Sequence, residues 1–166
     1  MTASEGSITH VPGVVRLLDP LVRRLLAIGL PMGPNTLLTV RGRKSGLPRT
    51  FAVALAEADG RRWVVGTFGE VNWVRNLRAA GKGHVRIAAR EEPIVAKELS
   101  QAEATAFFRD ELKAYLQRLP APARAFTRVF LRLTAPDVLD DPVRAARTRP
   151  VFALQRPDAE ESAGVT

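Results

Sequence analysis

Between two apolar, strand-like stretches, residues 40–50 read VRGRKSGLPRT, which crowds Arg41, Arg43, Lys44 and Arg49 around two glycines and a serine. Guanidinium forks match carboxylate and phosphate oxygens, and an ammonium adds a point charge. A Ser-Gly turn adds backbone N–H groups near Ser45 and Gly46 that can line an anion-binding hollow. These residues suit recognition of an anion; the plain alternative is a solvated turn with incidental charge. Spacing excludes two familiar uses of such loops. A nucleotide P-loop places glycine directly before its Lys-Ser pair, where this chain has Arg43. The dinucleotide fingerprint needs G-x-G-x-x-G opening a helix, whereas Gly42 and Gly46 lead into Pro48 and a further strand.

Few other residues offer chemistry. The chain has no cysteine, which removes disulfides, thiolate metal sites and thiol nucleophiles together and suits a cytoplasmic setting. Its two histidines are His10 and His84, the latter inside a strand-like run, so no metal site and no catalytic side chain is expected. The net charge of +8 is concentrated: residues 36–90 hold 11 Lys/Arg against 3 Asp/Glu, and the rest of the chain cancels. A local positive field on a folded scaffold favours a discrete anionic ligand over nucleic acid. A basic nucleic-acid module is a rival reading, but aromatics make up only 6% of the chain and do not interleave with the cations as stacking platforms would.

The elements that must position the loop follow from periodicity. Residues 1–10 read as a polar lead-in without an export signal, residues 11–156 as one domain, and the acidic stretch 157–166 as a frayed tail. Residues 11–30 place Val14, Leu18, Leu21, Leu25 and Ile28 at helical spacing, with Asp19-Pro20 as a second helix start. Two readings stand for them: a helix covering the core, or a basic amphipathic helix on an anionic membrane surface. Short β-branched segments then follow at 35–40, 50–58, 62–66, 84–89 and 93–99, with Asp59-Gly60 tying the second to the third. One helix interrupts them, with Asn72 as its cap and Gly81 as its stop. Ser100-x-x-Glu103 forms a capping box before a helix that Pro120 and Pro122 end; 123–133 gives a further turn or two, and 149–155 a last strand. Strands in succession with one short helix among them do not suit a doubly wound parallel sheet. The expected fold is α+β and mainly β, an antiparallel barrel with an N-terminal helix and C-terminal helices packed around it, and the cationic loop at its rim.

The string GRKSGLPRT, then WVVGTFG across a hairpin, then NWVRNLRAAGKGHVRI resembles the deazaflavin-dependent nitroreductases, also called F420H2-dependent quinone reductases. The resemblance covers about residues 33–100, with an echo in RPVFALQ, and rests on G-R-K-S-G-x-P-R followed by W-x-x-N-L. It implies a split β-barrel binding reduced coenzyme F420, an 8-hydroxy-5-deazaflavin with a phosphodiester and an oligoglutamate tail. On that basis Arg43, Lys44, Ser45, Gly46 and Arg49 would hold the phosphate and tail carboxylates, with Pro48 stiffening the turn. Val64, Val65, Gly66 and Thr67 would pass beside the deazaflavin with Phe68 next to them, and Trp73 and Asn76 would pack and hydrogen-bond at it. The coenzyme would donate a hydride to an electrophilic acceptor such as a quinone, an activated alkene or a nitro compound, which needs no triad and no metal.

Two departures bear on the acceptor. The loop FGEVN before the W-x-x-N-L helix is short, and the only tyrosine is Tyr115, where better-known relatives place several tyrosines over the acceptor. Phe68, Phe107, Phe108, Phe126 and Phe130 are candidates to line an apolar acceptor pocket instead. An FMN-using or non-catalytic ligand-carrying barrel is the alternative function. A homodimer is expected by analogy, and peripheral contact with the inner face of the plasma membrane would run through residues 11–30.

Overall fold

The computed structural model describes residues 35–87 and 89–157. The elements run β1 (Asn35–Arg41), β2 (Pro48–Ala58), β3 (Arg61–Val65), α1 (Asn72–Ala80), β4 (Lys82–Ile87) and β5 (Arg90–Glu98). After them come α2 (Gln101–Ala106), a π-helical turn (Phe107–Glu111), α3 (Leu112–Arg118), α4 (Ala121–Thr134), α5 (Asp137–Asp140), α6 (Pro142–Thr148) and β6 (Val151–Gln155). The six strands close an antiparallel barrel in the order β1-β2-β3-β6-β5-β4, so the last strand of the sequence is inserted between β3 and β5. This is the α+β barrel expected from the sequence. The N-terminal helix, the lead-in and nearly all of the tail expected from the sequence lie outside the described residues.

Strand alternation sorts the apolar side chains into two cores. Leu38, Val40, Val53, Val64, Val85, Ile94, Phe152 and Leu154 come from all six strands and fill the barrel interior, where Trp73, Val74 and Leu77 of α1 join them. The opposite faces of β2, β3 and β6 supply Ala56, Ala58, Trp63, Val65 and Val151, which bury against Phe107, Phe108, Leu112, Leu116 and Leu131 of the C-terminal helices. Closure occurs where β4 meets β1, pairing Gly83 with Val40. A Cβ on Gly83 would stand 2.6 Å from the Thr39 carbonyl oxygen, so the seam admits only glycine at this spacing. At the β2–β3 hairpin Asp59 and Gly60 take φ of 51° and 75°, the paired left-handed geometry of a two-residue turn.

Three local expectations are corrected. Asn72 does not cap α1: Val71 is the N-cap residue, without a side-chain bond, and the Asn72 amide instead faces Arg43. The helix opened by the Ser100–Glu103 capping box is not continuous but passes through the π turn at Phe107–Glu111. Residues 121–134 form a full 14-residue helix rather than a turn or two, and α5 and α6 follow it, unforeseen because each is too short for a periodic signal. Among the described residues no helix is long and apolar enough to cross a membrane, and no cluster of His, Asp or Glu could hold a metal ion.

Candidate anion and cofactor site

The cationic loop is a tight β1–β2 connection. Gly42 N–H donates to the Leu47 carbonyl and Gly46 N–H to the Gly42 carbonyl, each at 2.8 Å, which folds the loop back on itself. Gly46 takes φ 68°, and Gly42 is buried so closely that an added Cβ would meet Ser45 Oγ at 2.9 Å. The Gly46 amide is therefore consumed within the turn, and the amides of Lys44 and Ser45 donate to no described acceptor. Lys44 and Arg49 are exposed and make no ion pair among the described residues.

Arg43 does something different. Its guanidinium donates to Asn76 Oδ1 at 2.8 Å, its backbone N–H approaches the same oxygen at 3.3 Å, and a second guanidinium nitrogen approaches Asn72 Oδ1 at 3.4 Å. Asn76 is 5% exposed on α1, so the two motifs named by the sequence are welded into one surface through this contact. α1 is itself held to the barrel by Arg78, which bonds Glu98 at 2.6 Å and Glu70 at 2.9 Å. The Glu98 hydrogen bonds, then those of Glu70, outweigh burial and raise the affinity of that guanidinium for its proton.

The β3–α1 segment approaches from another side. Gly66 N–H donates to the Pro150 carbonyl at 2.7 Å, and a Cβ there would meet the Gly69 carbonyl and the Pro150 ring, both at 3.1 Å. The close approach that glycine permits at this position is used by Pro150 and Gly69. The Thr67 carbonyl accepts from the Arg149 guanidinium, which also grips Asp137 through two bonds of 2.6 and 2.8 Å. Arg149 is 2% exposed, and sequence reading missed it because nothing local distinguishes it from the arginines around it. Burial pulls the Asp137 carboxyl upward, but the Arg149 hydrogen bonds and charge prevail and hold it below the usual carboxylate range.

The structure thus brings Arg43 and Asn76 together, with Lys44, Ser45 and Gly46 on the same loop and Pro48 and Arg49 on the first two residues of β2 that follow it. Trp73 is buried in the barrel interior against Phe152, ring centroids 6.2 Å apart. The side chains of Val64 and Val65 are buried in the two different cores, and Thr67 and Phe68 are half-buried in the segment before α1. The five phenylalanines do not gather into one pocket. Phe107 and Phe108 are buried beside Trp63, whereas Phe126 and Phe130 stack on the exposed side of α4.

A second concavity, a cleft of about 670 Å³, opens over Trp63, Phe107 and Leu154. Its cations face carboxylates: Arg61 bonds Glu111 at 2.5 Å, Arg62 bonds Glu57 and Glu92 at 2.8 Å, and Arg156 lies 3.6 Å from Glu92. Among the described residues, positive charge without an ion-pair partner stands beside the β1–β2 connection, at Lys44 and Arg49, rather than in the cleft.

The family described as F420H(2)-dependent quinone reductase matches residues 15–119, and the chain belongs to it. The protein is therefore an oxidoreductase of a family dependent on F420H2. No curated protein matches the sequence. Among solved structures, a domain-swapped dimer is 18% identical with a TM-score of 0.47, covering 86% of this chain and 100% of its own. An F420-H2 dependent reductase is 20% identical with a TM-score of 0.44, covering 74% and 94%. A conserved hypothetical protein from Mycobacterium tuberculosis is 13% identical with a TM-score of 0.44, covering 94% and 86%. At these identities no residue role passes from those proteins to this one.

Proposed function

We propose that the protein binds reduced coenzyme F420 with its anionic tail on the β1–β2 loop and its ring system against the β3–α1 segment, and reduces an apolar acceptor of the quinone class. The observation that carries this reading is the set of cations at the loop: Lys44 and Arg49 are exposed and make no ion pair among the described residues, and Arg43 is oriented by Asn76. The donor set suits the ligand, since phosphate and carboxylates are what arginine, lysine and free backbone amides bind best. When bound, the deazaflavin supplies a hydride. The chain's own tasks are to hold and orient. Lys44, Arg49 and the Lys44 and Ser45 amides would take the tail, and Gly46 and Pro48 would keep the turn in shape. Arg149 would keep the Thr67–Phe68 backbone in place beside the ring. Trp73, Val64 and Val65 are buried and would act by packing rather than by contact.

The test is a fluorescence titration with F420 beside FMN, on the wild type and on Lys44→Ala/Arg49→Ala. Both side chains are exposed and make no ion pair among the described residues, so the variant keeps its fold. Loss of these charge-assisted contacts should weaken F420 binding by roughly tenfold to a hundredfold. Equal affinity for FMN, or F420 binding unchanged in the variant, overturns the proposal. Turnover of a soluble quinone with F420H2, compared with a nitro compound and an activated alkene, then selects the acceptor class.

A further inference from the structure

We infer that α4 is a docking surface for an anionic lipid bilayer. Phe126, Val129, Phe130 and Leu133 are 68%, 58%, 37% and 81% exposed, at the spacing i, i+3, i+4, i+7 that makes one continuous stripe. The stripe is about 10 Å long. The helix buries Thr127 and Leu131 on another face, so its larger apolar face points away from the body of the protein. A helix that turns two phenylalanines, a valine and Leu133 outward needs a partner, because soluble chains rarely leave such a stripe bare.

Charge decides which partner. The helix reads APARAFTRVFLRLT, with three arginines and no acidic residue. Arg124 donates to the Gln117 carbonyl, while Arg128 and Arg132, on the flank next to Val129, are exposed and make no ion pair among the described residues. A second copy of the chain laid on this face would bring the same arginines side by side and repel. Residues 11–30 are also net basic, with Arg16, Arg23 and Arg24 against Asp19, and so are poorly matched to cover it. The acidic segment after Pro157 has the right sign but no large apolar side chain to fill the stripe. An anionic bilayer satisfies both halves: the rings and Leu133 enter the acyl boundary, and the arginines reach the headgroups. This inference does not rest on the cofactor reading.

The test is cosedimentation of the full chain, without F420, with vesicles of phosphatidylcholine alone or containing about a third phosphatidylglycerol. The wild type should partition to the anionic vesicles, and added salt should release it. Phe126→Gln/Leu133→Gln should lower the partition about tenfold with an unchanged melting curve. Arg128→Gln/Arg132→Gln should lower it and flatten its salt dependence. Absence of binding by the wild type overturns the inference, as does full binding by the Phe126→Gln/Leu133→Gln variant, which would put the contact elsewhere. Sedimentation velocity showing a dimer that this same variant dissociates, with no vesicle binding, also overturns it and assigns the stripe to a second copy.

Discussion

Asn76 joins the two halves of the site. Its Oδ1 accepts from both the backbone and the side chain of Arg43, and its burial makes that oxygen costly to leave unpaired or to remove. Asn76→Leu should destabilise the fold by about 1 to 3 kcal/mol in urea unfolding and also weaken F420 binding, because Arg43 is then free to swing. Asn76→Asp keeps an acceptor toward Arg43 and should lose less of both. The W-x-x-N-L spacing marked Asn76 as special, but its partner 33 residues earlier in the chain was not legible, since either motif read alone leaves both side chains available to a ligand.

Glycines separate two kinds of constraint at the level of elements. Gly46 needs its positive φ but has open space around a would-be Cβ, so Gly46→Ala should cost about 1 kcal/mol and leave the barrel intact. Gly83 lies between strands, and the atom a Cβ would strike is a backbone oxygen that cannot rotate away. Gly83→Ala should therefore cost on the order of 3 kcal/mol or more by opening the β1–β4 seam, and a thermal melt of the two variants side by side checks the ranking. Strand positions and the Asp59-Gly60 turn were legible because they depend on alternation and local φ preference. The π turn and α5 were not, because a single wide turn and a four-residue helix leave no period to read.

For the whole molecule, the Arg149–Asp137 pair ties the C-terminal helices to the segment before α1. Asp137→Asn leaves a buried guanidinium without its counter-charge and should cost about 3 to 5 kcal/mol. Because the folded carboxyl sits below its unfolded value, the unfolded chain binds the proton more tightly. The stabilisation is then fully present above about pH 4 and is lost as the pH falls through the folded value. Urea midpoints of the wild type should drop as pH falls below about 4, and Asp137→Asn should show a shallower drop over the same range.

Local rules acting on neighbouring residues sufficed for the antiparallel strands, the capping box at Ser100 and the concentration of positive charge at the β1–β2 loop, because each depends on side chains within a few positions of one another. Barrel closure decided the rest. It set which amide Arg43 would meet, drew Arg149 under the Thr67 carbonyl, made Gly83 indispensable, and divided the phenylalanines between a buried core and the outward stripe of α4. Those outcomes depend on residues tens of positions apart, and only the register of six strands determines which of them come within reach.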